Sequence, residues 1–156
     1  MQPAGSFPSP MPNTSAPIPN PANPVIAIVG LSTKSDRPSF GVARYMQERG
    51  YRIIPVNPMH VGAHILGELC YANLFDAAKA LAAEGQKIDI VDCFRKAEDI
   101  PPVVGEAIMI DARCVWMQLG IVNEAAAEKA RANGIQVVMD RCLKIEHALG
   151  NLHGIL

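Results

Sequence analysis

The sequence predicts an α/β protein with a doubly wound, Rossmann-like, five-stranded parallel sheet and helices on both faces. Three observations predict it. Short apolar runs alternate with longer segments of helical character from Val25 onward. The first run ends at Gly30 and opens into a polar loop that leads straight into a helix start. Alternating β and α segments build βαβ units, and right-handed crossovers make the doubly wound sheet the default closure.

Residues 1–24 stand apart from this pattern. They hold eight of the thirteen prolines and no charged residue. Proline fixes φ and removes a backbone donor, so the stretch reads as a disordered Pro-rich tail. A Pro-rich motif for a protein partner is the functional alternative. The folded domain is expected over 25–156. Val25–Val29 reads as a buried strand. Pro38–Arg49 reads as a helix, with Ser39 near its start and Gly50 as its stop. Tyr51–Val56 is a second strand, ended by Asn57 and Pro58. Asn73 caps a helix running to Gly85, with Asp76 three residues inside it. Ile88–Cys93 is a third strand. Glu98 and Asp99 precede Pro101 and Pro102, which suits the first turn of a helix through Asp111. Arg113–Leu119 is a fourth strand, Asn123 caps a helix ending before Gly134, and Ile135–Met139 is a fifth strand. A short helix follows from Leu143. The expected strand order is 3-2-1-4-5, which puts the ligand crevice between the loops after strands one and four. The loops that matter are then Gly30–Ser39, Asn57–Gly67, Phe94–Asp99 and Gln118–Asn123.

Composition narrows the function. Among 156 residues, 49% are hydrophobic and 19% charged, and 14 Lys and Arg oppose 15 Asp and Glu for a formal charge of −1. That leaves no general basic field for a nucleic-acid backbone. The longest apolar stretches reach roughly six residues, against the ~20 of a membrane-spanning helix. No Lys/Arg cluster precedes an apolar core at the N-terminus, so no secretory signal is read. Cys70, Cys93, Cys114 and Cys142 form no CxxC pair. Zinc and iron–sulfur sites, which usually need such pairs, are therefore poor readings. A disulfide framework is also a poor reading in a chain that can bury a real core, and reduced thiols in the cytoplasm fit best. His60 and His64 are four apart, but Gly62 between them breaks the helix a metal pair would need, and no metal site is expected.

The first loop carries the clearest chemistry. It reads Gly30, Leu31, Ser32, Thr33, Lys34, Ser35, Asp36, Arg37, Pro38, Ser39. Free N–H groups and the helix dipole attract an anion there. Hydroxyls, Lys34 and Arg37 add donors, so phosphate or pyrophosphate is the natural ligand. The loop is neither GxGxxG nor GxxxxGK[ST]. An NAD site wants an acid after the second strand, and Asn57 and Pro58 stand there instead. Together with Lys34 and Arg37, this favours a nucleotide with an extra phosphate near its ribose. NADP and coenzyme A both qualify.

The run Ile28-Val29-Gly30-Leu31-Ser32, with Lys34 and Asp36-Arg37-Pro38-Ser39, resembles the small CoA-binding proteins, single-domain relatives of the CoA-binding domain in the α-subunit of succinyl-CoA synthetase. Four further runs match in order: Gly50 to Pro58, Ile90 to Arg95, Val115 to Gly120, and Val138 to Cys142. The resemblance spans about residues 25–146. Leu143 stands where the family pattern has proline, and the Pro-rich tail is extra. The resemblance implies that Gly30, Leu31, Ser32, Thr33, Lys34, Arg37 and Ser39 hold phosphates. It also implies that Pro55, Val56 and Asn57 line the nucleotide, that Phe94 and Arg95 cover the adenine or its ribose, and that Trp116, Gln118 and Gly120 border the pantetheine path. On the residues alone, Trp116 sits on a buried strand and reads as core. Ligation chemistry, which in the synthetase belongs to a second domain with a phosphohistidine, is not implied. No Ser–His–Asp order or carboxylate pair is defensible from spacing, so no catalytic residue is assigned. Coenzyme A or an acyl-CoA is the expected ligand, without nucleic acid or membrane. An NADP-dependent oxidoreductase and an acyl-CoA-sensing regulatory subunit are the alternatives. Cys142, between Arg141 and Lys144, is the candidate reactive thiol, with a mixed disulfide to the CoA thiol as its conceivable product.

Overall fold

The computed structural model describes residues 19–152. The central strand β1 (Val25–Val29) is apolar and buried at all five positions, as a parallel strand covered on both faces must be. The other strands are β2 (Arg52–Val56), β3 (His64–Ile65), β4 (Glu68–Leu69), β5 (Ile90–Cys93), β6 (Cys114–Met117) and β7 (Gln136–Val138). The helices are α1 (Pro38–Glu48), α2 (Leu74–Ala82), α3 (Ile100–Met109), α4 (Glu124–Ala132) and α5 (Leu143–Ala148). Five strands pair in parallel in the order β2-β1-β5-β6-β7. A hairpin of β3 and β4, which the sequence reading does not anticipate, folds between β2 and α2.

The expected strand order 3-2-1-4-5 is corrected here. Counting only the five sheet strands, the order is 2-1-3-4-5, with β2 at the edge and β1 inside. Pro55 gives the physical reason. It lies within β2 opposite Ile28 and has no N–H for a ladder, so a strand containing it belongs at an edge. Its carbonyl points outward and accepts from Tyr71 N–H at 3.1 Å. The switch point therefore lies between β1 and β5, not between strands one and four.

Alternate positions along the strands face two apolar layers. Ala27, Val29, Val56, Val91, Val115 and Met117 pack under α2, α3 and α4. Ile26, Ile28, Ile53, Ile90, Cys114 and Trp116 pack under α1 and α5. Most of the Pro-rich tail lies outside the described residues. Asn20 to Asn23, assigned to it from sequence, form a turn on the body: Asn20 N–H donates to Gly50 O at 2.7 Å and Asn23 N–H to Asn20 O at 2.9 Å. No helix among the described residues is long and apolar enough to cross a membrane.

Candidate functional site

Gly30 fixes the geometry at the carboxyl end of β1. Its φ is +93°, a region where glycine is the unstrained residue. Its N–H donates to Val56 O at 2.8 Å. A Cβ at this position would run into the Phe94 carbonyl and lie 3.1 Å from Arg95 Cδ. Glycine thus lets the end of β1 press against the chain leaving β5, at the switch point.

Beyond Gly30 the loop organises itself. Ser39 Oγ accepts from Ser32 N–H at 3.0 Å, and Ser32 Oγ accepts from Lys34 N–H at 3.0 Å. A turn follows in which Arg37 N–H donates to Lys34 O at 3.1 Å. α1 then starts at Pro38 with no side-chain cap and no acid in its first turn. The contrast with α2 and α4 is informative. Asn73 Oδ1 caps α2 at Asp76 N–H (2.8 Å), and Asn123 Oδ1 caps α4 at Ala126 N–H (3.0 Å). Each of those helices also carries an acid in its first turn. The positive end of α1 is thus left without a side-chain partner. α3 likewise has neither cap nor acid in its first turn, though the acidic turn Ala97–Asp99 leads into it. Lys34 and Arg37 are exposed beside the start of α1, as is Thr33.

Two clefts of about 220 Å³ each open at this edge. The α1 cleft is lined by Gly30, Ser32, Arg37, Pro38, Ser39 and Phe94. The α3 cleft lies on the other side of the sheet. Val29, Val56, Pro58, Pro102 and Val103 give it apolar walls, and Asn73, Arg95, Asp99 and Glu106 give it polar groups. Arg95 reaches Asp99 at 3.7 Å, and Glu106 Oε1 accepts from Leu74 N–H at 2.9 Å. The chain at Phe94 and Arg95 divides the clefts and contributes one side chain to each.

The structure thus brings Gly30, Ser32, Arg37, Ser39 and Phe94 together, and places Val56 and Arg95 next door. Other expected site residues line neither cleft. Leu31 is fully buried in the core, and its carbonyl accepts from Asn57 Nδ2 at 3.0 Å. Asn57 is therefore a strut between the first two loops. Pro55 is buried within the edge strand. Trp116 is 1% exposed, with Nε1 donating to Arg141 O at 2.8 Å, so its ring is core. Gln118 is buried and its Oε1 accepts from Leu143 N–H at 3.1 Å. Gly120 is exposed, with its N–H on Asp140 Oδ1 at 2.7 Å. Gln118 and Gly120 tie the loop after β6 to the loop after β7.

Sequence reasoning missed Glu106, which only the packing of α3 beside α2 brings to the edge, and gave Asp99, at the end of the loop Phe94–Asp99, no role in the site. It also missed Asp92, the one acid in the buried run Ile90–Cys93. Asp92 is fully buried and neither oxygen has a hydrogen-bond partner. Burial raises its carboxyl well above the usual carboxylate range, which favours the protonated form. An unsatisfied buried polar group costs about 1–3 kcal/mol. Among the cysteines, burial pushes the Cys70 and Cys93 thiols up and Cys114 up to about 12. Cys142, at the start of α5, is only half-buried.

A larger cavity of about 620 Å³ opens at the opposite, amino end of the sheet. Asn20, Arg52, Gln86 and Asp89 are among its walls. Arg52 is already held by Glu68 at 2.9 Å and Glu84 at 2.7 Å. Ligands of open parallel sheets bind beyond the carboxyl ends, where helix N-termini converge. Size alone therefore does not make this cavity the site.

A family model described as a CoA binding domain matches residues 24–148. The chain is 42% identical over 124 residues to the uncharacterized Bacillus subtilis protein YneT, covering 80% of this chain and 85% of that one. A Thermus thermophilus protein of solved structure is 34% identical with a TM-score of 0.72, covering 81% of this chain and 89% of its own. A Pyrococcus horikoshii protein is 35% identical with a TM-score of 0.71, covering 80% and 81%.

Proposed function

The chain belongs to the CoA binding domain family, and from that premise we propose that it binds coenzyme A across the two clefts at the carboxyl edge of the sheet. The pyrophosphate sits at the loop Gly30–Ser39, on the positive end of α1. Lys34 and Arg37 meet the pyrophosphate or the further phosphate on the ribose. The adenosine enters the α3 cleft, where Val29, Val56, Pro58 and Val103 suit a flat ring and Asp99 and Glu106 offer acceptors. The pantetheine arm runs toward the exposed Gly120. Free CoA and an acyl-CoA both fit, because the recognised atoms belong to the nucleotide. One observation carries this reading: the first turn of α1 has neither side-chain cap nor acid, whereas α2 and α4 are capped and acidic and α3, also uncapped, is entered from the acidic turn Ala97–Asp99, and Gly30 holds α1 beside the divided clefts.

Titration calorimetry with CoA, dephospho-CoA, NAD and NADP tests it. CoA is expected to bind more tightly than either dinucleotide. NADP is the demanding competitor, since it too carries a ribose phosphate and a diol for Asp99 or Glu106. Lys34→Ala and Arg37→Ala should each weaken CoA binding about tenfold or more, as a charge-assisted hydrogen bond contributes roughly 1.5–3 kcal/mol. The variant that loses the contact to the ribose phosphate should lose less affinity for dephospho-CoA than for CoA. Tight NADP binding without measurable CoA binding would overturn the reading and favour an oxidoreductase.

A further inference from the structure

The buried polar side chains Ser39, Gln47, Asn57 and Gln118 each have a hydrogen-bond partner. Asp92 is the exception among the described residues: it is 0% exposed and both carboxyl oxygens are unpartnered. It lies on β5 between Ile28 of β1 and Trp116 of β6, on the face covered by α1 and α5. Phe94 N–H continues the ladder to Val29 O at 2.8 Å. Phe94 therefore projects from the same face as Asp92, two positions nearer the carboxyl edge. Phe94 lines the α1 cleft with Gly30, Ser32, Arg37 and Ser39 and packs against the core layer under α1 and α5. The carboxyl thus lies one step beneath a wall of the cleft assigned to phosphate.

We propose that Asp92 is a hydrogen-bond donor of the ligand site, covered by the Phe94 ring in the free protein and uncovered when that ring moves to receive the nucleotide. The chemistry accounts for an acid beneath an anion site. A carboxylate there would repel phosphate, whereas a protonated carboxyl has one O–H to give. An O–H bond to an ionised oxygen is among the stronger hydrogen bonds. An apolar surrounding holds the carboxyl in the donor form. The ligand group it takes is a phosphate oxygen. This rests on the CoA reading above.

Difference infrared spectroscopy of the wild-type protein with and without saturating CoA tests it directly. The carbonyl stretch of the protonated carboxyl is identified by its absence in Asp92→Asn. It should move to lower frequency when CoA binds, as an unbonded carboxyl becomes bonded. Calorimetry adds a second measurement. Asp92→Leu, which has no donor, should bind CoA about tenfold more weakly. Asp92→Asn, which keeps an N–H donor, should retain most of the affinity. A wild type that binds CoA while the band stays in place overturns the proposal alone, as does Asp92→Leu binding like wild type. A wild type that binds no CoA overturns the CoA reading and this proposal with it.

Discussion

Asp92 has a consequence for stability that is separate from any ligand. Its carboxyl is raised well above 3.8 in the folded protein, so above that pH the unfolded chain loses a proton that the folded one keeps. The associated stability is fully present below about 3.8 and is lost as pH rises toward the folded value. Asp92→Asn removes that dependence. The difference in Tm between Asp92→Asn and wild type should therefore grow in favour of the variant from pH 4 to pH 8, as followed by circular dichroism. A difference independent of pH would show that Asp92 is not held neutral. Cys142 gives the other prediction at this scale. Cys70, Cys93 and Cys114 are buried with raised thiols, and Cys142 is half-exposed between Arg141 and Lys144. Only thiolates alkylate readily, so peptide mapping after brief alkylation at neutral pH should find Cys142 modified first. Prior labelling of any of the other three contradicts this.

Among the elements, α5 is held to α1 by aromatic and cationic groups. His147 Nδ1 pairs with Tyr45 Oη at 3.1 Å, and its ring meets Tyr45 and Tyr51 edge-on at 5.5 and 5.6 Å. Arg49 lies 3.7 Å over the Tyr45 ring, with Lys144 at 5.4 Å. Burial, and then the nearby Arg49 charge, hold the His147 imidazole below its ordinary 6.5. The unfolded chain therefore takes a proton first as pH falls. The contribution is fully present above about 6.5 and is lost as pH drops toward the folded value. As pH falls from 7.5 to 5.5, the difference in Tm between His147→Gln and wild type should shift in favour of the variant. The same pH dependence of Tm in both would contradict it. The elements themselves were legible in the sequence, because apolar runs and the caps Asn73 and Asn123 mark strand and helix starts directly. Their arrangement was less so. Pro55 is the sign in the sequence that β2 is an edge, and a reading that passes over it puts the switch point one strand away, beside β6. The two-residue strands β3 and β4 are too short to show alternation. The roles of Leu31, Asn57, Trp116 and Gln118 in the core and between loops depend on side-chain direction after packing, which local spacing does not contain.

For the whole molecule, the question is which end of the sheet takes the ligand. The amino end has the larger cavity, about 620 Å³, but its Arg52 is engaged by Glu68 and Glu84. The carboxyl edge has two smaller clefts, the uncapped end of α1, and Lys34 and Arg37 exposed beside it. Parallel strands with crossover helices on both faces direct every strand's carboxyl end, and the N-terminus of the following helix, to that edge. CoA is therefore expected to bind there. Titrating CoA into isotopically labelled protein and following backbone amide shifts by NMR tests it most directly. The largest changes are predicted at Gly30, Ser32 to Lys34, Ser39 and Phe40, with a second group at Phe94, Arg95 and Asp99. Saturable changes confined to Asn20, Asn23, Arg52 and Gln86 at the amino end, with the Gly30–Ser39 amides unmoved, would contradict it.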